Sequence, residues 1–229
     1  RDSGTTAEHP YLQITTADDA VSPVQISATG TLTGNPSPAK DITRTLTRTA
    51  VPAYQPTTSL TLQQGATEGK DIGWIDKSKP TWNYGANDTI TAQYNAGTRG
   101  LIEFDLGDVP TGALVTSARL ELYATRVQNP GNLHVHRITS PWVEGTCQGS
   151  GCTADGASWD TTDGVTPWNT PGGDYDSVPA ATLATTVLDT WHAWDITALA
   201  QDWTAGIHPN HGMLLDSDPG ADGDFASSD

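Results

Sequence analysis

The densest chemistry in the chain lies near its C-terminal end, in DSDPGADGD (residues 216–224). Asp216, Asp218, Asp222 and Asp224 stand there within a few positions of one another. Oxygen ligands at this density suit a hard cation, so a structural calcium site is one expectation, with an acidic surface turn as the plain alternative. Counted from Asp218, an EF-hand template fails, because Gly220 and Asp229 stand where a ligand and a Glu are required. Glu103 and Asp105 share one face of a candidate strand, with Glu144 further on. Acids at i and i+2 on a strand lie about 7 Å apart, a distance at which a glycosidase could work. Their alternation with apolar residues describes a solvated face more simply. No Gly-x-Ser-x-Gly, phosphate loop or dinucleotide fingerprint is present, and an enzyme is not expected. His134 and His136 also share a strand face, a pair able to chelate a transition metal, but no third ligand is evident.

Two further groups carry chemistry. Cys147 and Cys152 are the only cysteines, in CQGSGC. A loop this short and glycine-rich can close a disulfide, which points outside the cytoplasm. The chain also has eight tryptophans, and flat rings of this kind stack on pyranose faces. Trp74, Trp82 and Tyr84 fall on or beside a loop, and Arg99 stands at the head of a strand. These four are the candidate ligand contacts, with a polysaccharide as the expected partner.

The elements that must position these residues read as β-structure. In residues 99–123, RGLIEFDLGDVPTGALVTSARLELY, Ile102, Phe104 and Leu106 alternate with Leu101, Glu103 and Asp105. Ala118, Leu120 and Leu122 alternate with Arg119 and Glu121. Period-two alternation predicts one buried and one wet face. Pro110 and Gly112 supply turn chemistry between the two runs, so they are expected to be neighbours in an antiparallel sheet. Further strands are expected at 60–62, 71–75, 89–94, 133–138 and 212–215, with a long loop over 141–179. One helix is expected at 195–204, with Asp195 as N-cap, Gly206 past its end, and Ile196, Leu199, Ala200 and Trp203 on one face. Residues 1–54 contain no Trp and many Thr, and read as a small meander with strands at 11–15, 24–28 and 42–48.

The expected fold is therefore all-β: a jelly-roll-like antiparallel β-sandwich with one short helix over residues 57–229, preceded by a β-meander and linker over 1–56. The net charge of −16 excludes nucleic acid and anionic membrane as natural partners. No targeting, lipidation or membrane-inserting segment is visible. The chain starts at Arg1 without a Met, and it is expected to be part of a longer, extracellular or cell-surface product.

The order of landmarks adds a resemblance. Asn83-Tyr-Gly, Arg99-Gly-Leu-Ile-Glu-Phe-Asp, Val109-Pro, Ser117-Ala-Arg-Leu-Glu-Leu, Trp142-Val-Glu, Trp159, Asp195-Ile-Thr, Trp203-Thr-Ala-Gly and Asn210-His-Gly-Met-Leu-Leu fall in sequence. Together, over residues 60–229, they resemble the DNRLRE, or disaggregatase-related, β-sandwich family, which overlaps a carbohydrate-binding module class. The resemblance implies a non-catalytic, glycan-binding or adhesive module appended to another protein, and places Trp142, Trp159 and Trp203 at core landmarks. Such modules end on a strand after a Phe-Ala-Ser-Ser-Glu-like element. Here Phe225-Ala-Ser-Ser-Asp closes the chain, so a missing strand and an open edge are expected, served by residues 1–54. Ile26-Ser-Ala-Thr-Gly with Ile42-Thr-Arg-Thr-Leu resembles the β-region of PilX-type minor pilins. That implies a second reading: self-association as a pilus-like filament subunit with the sandwich as decoration. An accessory domain of a polysaccharide-degrading enzyme is a third.

Overall fold

The computed structural model describes residues 9–17, 57–63, 69–149, 151–152 and 155–228. Eleven strands and one helix follow in order: β1 Tyr11–Ala17, β2 Thr57–Gln63, β3 Gly69–Asp76, β4 Thr89–Gln93, β5 Thr98–Phe104, β6 Leu114–Arg126, β7 Gly131–Arg137, β8 Ala181–Thr185, β9 Thr190–Asp195, α1 Thr197–Thr204, β10 Met213–Ser217 and β11 Asp222–Ala226. Every pairing is antiparallel. The all-β sandwich expectation holds.

One continuous sheet curls on itself into two leaflets. The front leaflet centres on β6, which pairs with β9 over 119–124. Because β9 occupies one edge there, β1 and β11 must share the other, and they do so end to end along 114–121 and 124–126. β2 extends this leaflet beyond β1, and β4 extends it beyond β11. The back leaflet runs β3-β5-β10-β7-β8. A single pair, Gln93 with Thr98, joins the leaflets at the β4–β5 corner.

Inward residues of both leaflets make the main core. Leu12, Ile14, Ile90, Leu120, Leu122, Trp194 and Phe225 of the front meet Ile102, Phe104, Leu133, Val135, Met213 and Leu215 of the back. The helix closes one end through Ile196, Leu199, Ala200 and Trp203, the face its spacing predicts.

Several expectations change. The runs at 101–106 and 118–122 do form strands, but they are not neighbours. β5 lies in the back leaflet and β6 in the front, so their connection crosses between leaflets instead of closing a hairpin. Gly112 does adopt positive φ, at +78°. The outer face of β5 is not wet: Leu101 is buried, with Leu214 of β10 beside it, under a second core. The Phe225 element is itself a strand: it lies inside β11, which is hydrogen-bonded on both sides by β4 and β6. The helix N-cap is Ile196, without a side-chain cap. Asp195 instead accepts from the Thr197 backbone N–H at 3.0 Å and from its hydroxyl. β8, β9 and β11 are strands outside the runs expected from the sequence. Of the expected N-terminal meander, Tyr11–Ala17 is a strand of the front leaflet, while 24–28 and 42–48 lie outside the described residues.

Candidate functional site

The second core lies against the outside of the back leaflet. Ile72, Ile75, Leu101 and Leu214 of β3, β5 and β10 are covered by Tyr84, Ile138, Trp142, Ala157 and Trp168. Most of this cover comes from irregular chain between β7 and β8. Backbone and indole hydrogen bonds hold it there: Trp142 Nε1 donates to the His211 carbonyl at 2.9 Å, and Trp168 Nε1 to the Ser158 carbonyl at 2.8 Å. Buried Asp174 accepts from Ser140, Asn169 and the Thr170 backbone. Burial raises its pKa, but those bonds outweigh it and hold the carboxyl below its ordinary value.

The cover leaves a cleft of about 450 Å³ at the β4–β5 corner, lined by Lys77, Ser78, Gln93, Tyr94, Arg99, Trp159 and Asp216 among others. Gly97, at φ +69°, makes the tight turn that stands Tyr94 half-exposed on the rim. Arg99 is fixed on four sides. Its guanidinium lies 5.0 Å from the Trp159 ring and 5.1 Å from the Tyr175 ring, its Nη1 donates to the Gly172 carbonyl at 2.7 Å, and its Nε is 3.3 Å from Asp216. Gly172 permits this packing. At φ +95°, a Cβ there would come within 2.6 Å of Arg99 Nη1 and 2.7 Å of Trp159. Behind Tyr175, His136 is buried with Nδ1 2.7 Å from the Asp176 carbonyl. Burial pushes its pKa below the ordinary histidine value, against the pull of that carbonyl and of Asp216.

Of the four sequence-derived ligand candidates, only Arg99 lines this cleft. Trp74, Trp82 and Tyr84 form a separate group in the same outer layer. Trp74 stacks on Tyr84 at 4.4 Å, and Trp82 lies 6.4 Å from Tyr84 under the Lys79 ammonium. Tyr84 is buried, which raises its pKa. It is clamped by the loop that the disulfide between Cys147 and Cys152 closes, as the spacing predicts. A Cβ at Gly149 of that loop would fall 2.3 Å from the Tyr84 ring. Trp142 and Trp203 are buried, as expected of core landmarks, but Trp159 is only partly buried and walls the cleft. Sequence reasoning therefore missed Trp159, Tyr94 and the pairing of Asp216 with Arg99.

Glu103 and Asp105 share the lining of a separate open cleft with Lys70 and Asn210, whereas the four acids of residues 216–224 are dispersed. Asp218 meets His134 Nε2 at 2.9 Å and Asn132, whose bonds hold its pKa below the ordinary value. Asp222 is buried and accepts from the Gln128 and Asn129 backbone N–H groups and the Asn129 side chain. Asp224 meets Arg126 and the Thr91 hydroxyl. No three of the four acids come within ligating distance of one another. Glu103 pairs with Lys70 at 3.1 Å, Asp105 accepts from the Gly107 N–H, and Glu144 accepts from the Asp71 N–H. His134 and His136 share a face as expected, and His136 is buried there, because Tyr175 and Asp176 cover it.

The profile of carbohydrate-binding module family 96 matches residues 63–229. The chain belongs to this family. The match starts at the last residue of β2 and leaves out β1, although β1 is hydrogen-bonded into the module's front leaflet. It shows neither the disaggregatase-related nor the pilin resemblance. No curated protein matches the chain. Among the described residues, no helix is long and apolar enough to cross a membrane.

Proposed function

We propose that this module binds a polysaccharide outside the cell through the cleft at the β4–β5 corner, without cleaving it. The observation that carries this is Arg99, held rigid between two aromatic rings on the floor of an open cleft. Trp159 and Tyr94 offer ring faces to a pyranose, and Gln93, Ser78 and Asp216 offer hydrogen bonds at fixed positions. Sites of this build rely on rigid aromatic anchors with a few placed polar groups. Lys77 and Arg99 against Asp216 give the cleft a local positive excess in a chain of charge −16, which admits sugars carrying carboxylates as well as neutral ones. The engaged state of Glu103, Asp105 and Glu144 supports a binding role over hydrolysis.

Affinity electrophoresis in gels containing xylan, β-glucan or polygalacturonate tests this. Wild-type protein is retarded in at least one gel, and Trp159→Ala loses about 2 kcal/mol or more, about thirty-fold in Kd. Equal retardation of wild type and Trp159→Ala overturns the assignment of the cleft.

A further inference from the structure

The outer face of the front leaflet carries a second aromatic group, on the side of the molecule away from the cleft. β1 alternates strictly, with Leu12 and Ile14 inward and Tyr11, Gln13 and Thr15 outward. The register aligns Tyr11 with Glu121, and Gln13 with Arg119. On the other edge of β6, Tyr123 stands opposite Trp191 and Arg119 opposite Asp195. The rings meet. Trp191 lies 4.9 Å from Tyr11 and 5.5 Å from Tyr123, in edge-to-face geometry. All three are partly exposed, and Gln13, Arg119 and Asp195 beside them are exposed. The Tyr11 hydroxyl donates to Glu121, which fixes that ring. The side-chain donors of Trp191, Gln13 and Arg119 make no hydrogen bond among the described residues.

We infer that this face is a second carbohydrate-binding surface, for a neutral polysaccharide. Two observations select that occupant. A protein-docking face wants a contiguous apolar patch, whereas this one interleaves three rings with free donors, the complement of a sugar with C–H faces and hydroxyl edges. Its charge excludes polyanions, because Glu121 and Asp195 stand against Arg119 alone in a chain of charge −16. The inference rests on the module being a carbohydrate binder but not on the cleft. One of its three rings, Tyr11, comes from a strand outside the residues matched by the family.

The test is calorimetric titration of the full chain with cellohexaose, alongside Trp191→Ala, Arg119→Ala and Trp159→Ala, with circular dichroism confirming that each variant folds. Wild type binds, Trp191→Ala weakens binding by about tenfold or more, Arg119→Ala weakens it less, and Trp159→Ala retains a site. Added salt leaves this binding unchanged, as expected for a neutral ligand. If Trp191→Ala and Arg119→Ala both bind cellohexaose as wild type does, or if wild type does not bind it, the inference falls. Binding that appears only after residues 18–56 are deleted also overturns it, because the face is then covered by the chain itself. Loss in Trp159→Ala alone supports the cleft and refutes this face. Loss in Trp191→Ala alone supports this face, and the cleft is then judged by the gel assay above.

Discussion

The molecule has two cores, and they are built by different means. Between the leaflets, strands alternate with period two, and aliphatic residues with Trp194, Trp203 and Phe225 pack where the pleat points them. Outside the back leaflet, the second core is half strand and half irregular chain. Trp142, Trp168 and Tyr84 are brought down by indole and backbone hydrogen bonds, by glycines at positive φ and by a disulfide. The first core needs only a pattern. The second needs specific residues at specific dihedral angles, and it is the one beside which the cleft opens. Binding residues concentrate where irregular chain is set on a rigid scaffold.

The sharpest separation of the two comes from truncating each. Trp194 is fully buried between the leaflets and touches Phe225. Trp194→Ala should cost about 3–5 kcal/mol, read as a lower denaturation midpoint and a loss of the whole fold. If only the outer layer loosened, the inner core would not be the foundation. Reducing the bond between Cys147 and Cys152 closes no leaflet contact. It should remove about 2 kcal/mol and expose Tyr84 and Trp74 to quenchers while the far-ultraviolet spectrum stays β. Collapse of both signals together would merge the cores into one unit. Gly172→Ala strains a positive-φ position by roughly 1–3 kcal/mol and pushes Trp159 from Arg99, so polysaccharide binding should fall further than the melting temperature does.

Acid and alkali should reach different regions. The folded pKa of His136 lies below its ordinary value of 6.5. Its contribution is therefore complete above that pH and shrinks as pH falls, when the unfolded chain takes the proton first. His136 lies under Tyr175, so acid should weaken the outer layer, and a folded variant His136→Gln should flatten that dependence. Tyr11 moves the other way. Burial first, then Glu121, lifts its hydroxyl from 10.0 to about 12. Its contribution is complete below 10 and is lost as pH rises through about 12, so Tyr11→Phe should remove an alkaline loss of stability at β1.

Much of the inner core is legible in the sequence because alternation and amphipathic spacing are local. The apolar run Leu101-Ile102 and the run Met213-Leu214-Leu215 also carried the sign of strands buried on both faces, although alternation alone assigns Leu101 to water. Which leaflet receives β5 and which β6 is not local: turn residues at 108–112 permit a hairpin and equally a crossing. The cleft was less legible. Trp142, Trp159 and Trp168 are identical letters in one loop, and only the packing of Gly172 against Trp159 leaves that ring on a wall. The four clustered acids read as one site, yet each found a separate partner, because β10 and β11 send their residues to different neighbours.

The position of β11 sets when the protein can fold. It fills the space between β4 and β6, and its Asp224 takes the hydroxyl of Thr91, 133 residues earlier. Just past the strand, Ser227 bonds buried Asp71, 156 residues earlier. During synthesis, the front leaflet must wait for this strand with β4 and β6 unjoined. The ribosome therefore releases almost all of the described strands before the sheet can close, and β11, the last of them in the chain, is an interior one. Such non-local closure is slow, and it exposes unpaired edges while it lasts. A nascent chain stalled before residue 222 should bind chaperones and be cleaved by protease, whereas one carried past residue 228 should resist.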